Sequence, residues 1–189
     1  MRVALTFDAE HPSRAQCPPG VQEAVLDVLD SGGVRATFFM QGRWATAYPL
    51  VARGIAEAGH AVGSHSHWHA RLPLMTDEGV RRDVTSAEIA IAATTGVSPR
   101  PLFRAPYGEV DGRVLAVLDA LGYRHVGWDV IAEDWDNDRS GEDIARTVLD
   151  GVRDGAVVVL HTWPAPVLDA LPLILDGLAG AELVGVDEL

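Results

Sequence analysis

Residues 156–160, Ala-Val-Val-Val-Leu, form an unbroken apolar run dominated by β-branched side chains, with no polar residue in alternation. Such a run suits a strand that is covered on both faces. A chain that must cover both faces of a strand is pushed towards a parallel sheet flanked by helices. Other short apolar runs fit the same role, at residues 3–7, 34–40, 60–64, 101–104, 124–128 and 182–186. Between them, helical spacing of apolar positions predicts helices over residues 21–29, 44–58, 76–95, 111–121, 140–153 and 166–178. Thr76 and Ser140 stand where N-caps are expected, and Gly32-Gly33 closes the first helix. The stretch from Glu10 to Gly20, with Pro12, Pro18 and Pro19, reads as a loop.

Strict alternation of strands and helices implies parallel pairing with right-handed crossovers, in an open doubly wound sheet or a barrel. The polar residues decide for the barrel. Asp8, His65, Arg104, Asp129 and His161 each follow a predicted strand, and barrel enzymes carry their chemistry on that face. With 189 residues and no linker, repeat or low-complexity tract, one domain over residues 1–189 is expected.

The formal charge of −12 argues against nucleic acid or an anionic membrane as partner. It leaves a neutral substrate open. No apolar stretch approaches the ~18 residues of a membrane span, and the N-terminus carries no leader pattern, so a cytoplasmic protein is expected. The lone cysteine, Cys17, excludes an internal disulfide.

Three of the seven histidines fall within Gly63-Ser64-His65-Ser66-His67-Trp68-His69. On a helical turn leaving a strand, His65 and His69 share one face, where two imidazoles can hold zinc or another first-row metal. His67 falls on the other side. A zinc site needs a further protein ligand. Asp8 and Glu10, two apart on a strand end, lie on one side, so one can ligate while the other stays free as a base. Arg104, at the end of a buried strand, needs a carboxylate partner, and Asp8 is the natural one. It equally suits a structural arginine at the barrel rim. The turn Pro106-Tyr107-Gly108 would present backbone N–H groups. His161 at a strand mouth reads as a general acid, with Asp134-Trp135 as orienting carboxylate and apolar wall.

Taken together, Thr6-Phe7-Asp8-Ala9-Glu10, His65-Ser66-His67-Trp68-His69, Arg104-Ala105-Pro106-Tyr107, Asp134-Trp135 and Leu160-His161 resemble the five motifs of the polysaccharide deacetylase family. This is the NodB-homology domain of carbohydrate esterase family 4. Order and spacing match from residue 3 to residue 165. The resemblance implies a distorted (β/α)7 barrel and metal-dependent removal of N-acetyl groups from an amino sugar or sugar conjugate. By position, Asp8 would be the general base, His161 the general acid, and His65 and His69 metal ligands. Arg104 would hold Asp8, Asp134 would tune His161, and the Tyr107 N–H would join the oxyanion site. Trp135 and Leu160 would line the acetyl pocket. One departure stands out: the family's second aspartate, its usual third ligand, is Ala9 here. Glu10 is the expected replacement, on the same strand face and one bond longer than Asp. One divalent metal is therefore expected, zinc first, with a small-molecule or oligosaccharide substrate. The altered first motif keeps two other readings open, a hydrolase of a small non-carbohydrate amide or imide and an inactive binding module.

Overall fold

The computed structural model describes residues 1–11, 18–136 and 138–189. Most of the predicted proline-rich loop, with Pro12 and Cys17, lies outside the described residues. Among the described residues the strands are β1 (Arg2–Ala9), β2 (Thr37–Met40), β3 (Ala61–Ser64), β4 (Leu102–Phe103), β5 (Arg124–His125), β6 (Val130–Ile131), β7 (Ala156–His161) and β8 (Glu182–Leu183). All pair in parallel, in the order β5-β4-β3-β2-β1-β7-β6, with β8 alongside β1. The helices are α1 (Val21–Ser31), α2 (Gly42–Ala47), α3 (Pro49–Glu57), α4 (Asp77–Thr95), α5 (Gly112–Ala120), α6 (Gly141–Gly151) and α7 (Val167–Gly177). The architecture is the expected distorted (β/α)7 barrel.

Side-chain alternation along the central strands sets its two surfaces. On β1, Val3, Leu5, Phe7 and Ala9 join the core under the helices, with Val158 and Leu160 of β7. Thr6, Asp8 and Glu10 therefore point the other way, into the barrel. A separate cluster under α4 and α5 contains Val84, Phe103, Val114 and Leu118. The barrel interior holds a small apolar plug, Ala4, Phe39, Ala61, Leu102, Val126 and Val186.

The sheet curls but does not close by hydrogen bonding: β5 and β6 are its two edges. Arg104, fully buried, reaches across the barrel interior from the end of β4. Its guanidinium donates to the carbonyls of Val126 (3.3 Å) and Gly127 (3.0 Å) beyond β5, and to Thr6 Oγ1 (2.8 Å) and Asp8 Oδ1 (2.9 Å) on β1. Its cation rests on Phe39, 4.1 Å from the ring centre. Phe39 in turn sets the residue beside it. A Cβ at Gly63 would fall 2.6 Å from the Phe39 ring, so only glycine lets β2 and β3 pair at this point.

The structure corrects the sequence reading in four places. The helix expected over residues 44–58 is two helices, because Pro49 has no N–H to donate and restricts Tyr48, which sits at φ −121°, ψ 60°. The pair Val130–Ile131 is an additional strand, too short to stand out by pattern. Asp129 lies before β6, not after a strand: it pairs with Arg153 and accepts from the Val157 N–H near the start of β7. It belongs to the barrel's far end, away from the strand mouths. His65 and His69 do not lie on a helical turn. Ser66 (φ 62°) and His69 (φ 58°) are left-handed, and these two reversals fold the segment back on itself.

Candidate metal centre

The C-terminal ends of β1, β3 and β7 open into a cavity of about 370 Å³. Asp8, Glu10, His11, His65, His69, Tyr107, Trp128, Trp135, His161 and Trp163 line it, with Ile131 and Val159. At its floor one oxygen of Glu10 and one nitrogen each of His65 and His69 lie within 4.8 Å of one another. Glu10 Oε2 stands 2.5 Å from His69 Nε2 and 3.3 Å from His65 Nε2.

The surroundings suit these groups to a metal. The backbone carbonyl of Arg104 accepts from His65 Nδ1 at 2.9 Å. A carbonyl cannot donate, so Nδ1 keeps a proton and Nε2 is the nitrogen turned to the cavity, the arrangement a metal-ligating histidine requires. Two imidazole nitrogens and one carboxylate oxygen form a donor set that zinc favours at reactive sites, with a position left for water or substrate. The histidine loop is pinned from two directions. Ser66 Oγ accepts from the His69 N–H at 2.9 Å. Asp83, buried on the inner face of α4, accepts from the N–H groups of His67 (2.8 Å) and Trp68 (3.1 Å). His67 is not among the cavity residues; its Nδ1 lies against Gly42 instead.

Electrostatics follow from this crowding. Burial works against the Glu10 carboxylate, but hydrogen bonds from His11, His65 and His69 outweigh it and hold the carboxyl far below the usual range. Burial likewise opposes a charged His65, yet the Asp8 and Glu10 charges raise its pKa. For His69 burial prevails and the pKa falls.

Two further pairs flank the triad. Asp8 gives Oδ1 to Arg104, while its Oδ2 lies 3.7 Å from His65 Nε2. On the opposite side His161 Nδ1 donates to Asp134 Oδ1 at 2.8 Å, and the His161 N–H donates to Oδ2 at 2.7 Å. Asp134 is 1% exposed. Burial alone would depress His161, but the Asp134 charge and hydrogen bond, helped by Glu10 and Asp8, push it up to about 9. Its free Nε2 faces the cavity, 3.8 Å from Glu10 Oε1. Trp135 meets the His161 ring edge-on. Tyr107 is left-handed (φ 60°), and no hydrogen bond from its N–H is found among the described residues.

Of the residues expected at the site, Asp8, Glu10, His65, His69, Tyr107, Trp135 and His161 line the cavity, and Arg104 and Asp134 stand directly behind Asp8 and His161. Leu160 does not. On β7 it faces the helices with Val158, whereas Val159 and His161 share the barrel face; Val159 forms the wall instead. Sequence reasoning missed His11, Asp83, Trp128 and Trp163. Trp163 shares the β7 mouth with His161 and donates to Glu10 Oε1 at 3.4 Å. Its spacing of two from His161 was the available signal.

A Glu-His-His cluster able to hold a metal thus stands between a paired carboxylate and a paired imidazole, at the strand mouths of a parallel barrel. Residues 1–126 match the family model for polysaccharide deacetylase. The chain belongs to that family, as its motifs imply. A chitooligosaccharide deacetylase of Azorhizobium caulinodans is 34% identical over 165 residues, 87% of this chain and 75% of that enzyme. The peptidoglycan-N-acetylglucosamine deacetylase PgdA of Listeria monocytogenes is 34% identical over 190 residues, all of this chain but only 38% of PgdA. Among solved structures, a family 4 carbohydrate esterase from Streptomyces lividans in complex with acetate superposes with a TM-score of 0.86 at 34% identity, covering 96% of this chain and 91% of the esterase. Among the described residues, no helix is long and apolar enough to cross a membrane.

Proposed function

We propose that this protein is a metal-dependent hydrolase that removes N-acetyl groups from an amino sugar or a sugar-containing conjugate. The observation that carries the reading is the opposition of Asp8–Arg104 and His161–Asp134 across the Glu10, His65 and His69 cluster. Names of the relatives, a chitooligosaccharide and a peptidoglycan deacetylase, supply the substrate class.

Glu10, His65 and His69 would hold one divalent metal, zinc by their chemistry, which when bound polarises the acetamide carbonyl and acidifies water. The remaining work falls to the chain. Asp8 is the general base: its Oδ1 is held by Arg104, which leaves Oδ2 to accept the proton of the attacking water. The Tyr107 N–H donates to the developing oxyanion. His161 gives its Nε2 proton to the departing amine, and a pKa of about 9 keeps that proton in place at neutral pH. An amine leaves poorly without a proton, so a well-protonated acid suits an amide better than an ester. Val159, Trp135 and Trp163 enclose the acetyl group, and Tyr107 and Trp128 offer aromatic surface to the sugar.

The test is acetate release from a panel of N-acetylated and O-acetylated sugars and small non-carbohydrate amides, with the metal removed and restored. Metal-dependent release from an N-acetylated sugar is expected. Release only from the non-carbohydrate amides, or from nothing in the panel, would overturn the proposal.

A further inference from the structure

We infer that His11 is a positioning residue that fixes two of the three proposed metal ligands, Glu10 and His69, while staying outside the ligand set. The inference rests on the metal-centre reading above.

Replacing an Asp ligand at position 9 by Glu one residue further along brings an extra rotatable bond, which must be frozen if the carboxylate is to bind in one geometry. Ala9 faces the core, so position 9 cannot contribute. Glu10 is fixed through its second oxygen. Oε2 faces the two histidines, while Oε1 lies 3.0 Å from His11 Nε2 and 3.4 Å from the donating Trp163 Nε1. An oxygen engaged by two donors is withheld from a cation, so Glu10 would offer a metal one oxygen only.

His69 is fixed by the same ring. Ligating histidines usually anchor their outer nitrogen by a hydrogen bond, as His65 does on the Arg104 carbonyl. The His69 Nδ1 is buried and has no such partner among the described residues. Its ring instead stands edge-on between His11 and Tyr107, with both centroids 4.6 Å away. Packing does for His69 what a hydrogen bond does for His65.

His11 is held for this task. It is left-handed (φ 56°), an uncommon state for a side chain other than glycine. Gln41 Oε1 secures it, accepting from the His11 N–H at 3.0 Å, and Gln41 is itself tied by its N–H to the Ala9 carbonyl. Strain retained at a cavity wall, braced by a buried side chain, is a mark of a functional constraint.

Zinc affinity, measured by chelator competition on the wild type, Glu10→Ala, His11→Ala and His11→Gln, tests the inference. It is read beside the unfolding temperature of each metal-free protein and the visible spectrum of its cobalt-loaded form. His11→Ala should weaken zinc binding about 10- to 100-fold, the usual effect of losing a residue that orients a ligand, with the metal-free unfolding temperature unchanged. Its cobalt bands should weaken as the freed Glu10 oxygen raises the coordination number. His11→Gln, which keeps a donor, should recover part of the affinity. Wild-type affinity and spectrum in His11→Ala, with affinity lost in Glu10→Ala, would overturn the role of His11 alone. Undiminished affinity in Glu10→Ala would overturn the metal-centre reading beneath it. Full loss of zinc in both His11 variants would make His11 a direct ligand and overturn the inference.

Discussion

Asp8 and His161 are each held by one partner of opposite sign, and those partners underlie the tasks proposed for them. Asp8→Asn keeps size and much of the hydrogen bonding to Arg104 but loses basicity. It is expected to bind zinc as the wild type does while turnover is lost; substantial acetate release by this variant would remove Asp8 from the role of base. His161→Ala should lower kcat by roughly 10²- to 10⁴-fold, the usual contribution of a general acid, with metal retained. Loss of the metal in that variant would make His161 a ligand. The pH profile then tests Asp134. Because His161 is raised to about 9, its imidazolium persists through neutral pH and is lost as pH rises past that value, so activity should fall on the alkaline side. Asp134→Asn removes the charge that does most to offset burial, and the alkaline limb should move to lower pH. A limb that stays in place would detach it from His161.

At the scale of elements, the histidine loop depends on a helix that contributes nothing to the cavity lining. Val80, Val84, Ala87 and Ile91 mark the buried stripe of α4, and Asp83 sits in the same stripe. A carboxylate among apolar neighbours is costly, and burial raises its pKa in spite of the two N–H groups it accepts. What it secures is the backbone of His67 and Trp68, between the two proposed ligands. Asp83→Ala should destabilise the metal-free protein by about 1–3 kcal/mol, the cost of leaving such donors unpaired. Zinc should also bind more weakly, because the loop loses its brace. Denaturant titration and chelator competition report the two effects separately, and a variant with normal zinc affinity would confine Asp83 to stability.

For the molecule as a whole, Arg104 joins architecture to chemistry. The same guanidinium that holds Asp8 also binds the Val126 and Gly127 carbonyls beyond β5, so the barrel and the proposed base share one buried cation. Arg104→Met leaves the Asp8 charge buried without its partner and should cost about 3–5 kcal/mol. Adding Asp8→Asn to Arg104→Met removes that stranded charge and should recover part of the loss. If urea unfolding of the single variant matched the wild type, the barrel interior would be held by the packing of Phe39, Leu102 and Val126 rather than by Arg104.

The alternation of apolar runs and helical patterns was legible in the chain because burial on both faces leaves no polar residue in a strand such as 156–160. Asp8, His65, Arg104 and His161 were legible because strand polarity puts the residues at strand ends on one rim, whereas Asp129 belongs to the opposite end. Sequence periodicity could not decide the rest. Leu160 and Val159 differ only in which face of β7 they occupy, and pairing with β1 settles that. Nor could it find the break at Pro49 without weighing that proline against the pattern around it. His11, Asp83, Trp128 and Trp163 reach the cavity or its supports from four separate parts of the chain. Their roles come from distances that only the folded barrel sets: a carboxylate with two oxygens has one of them assigned by His65 and His69 and the other by His11 and Trp163.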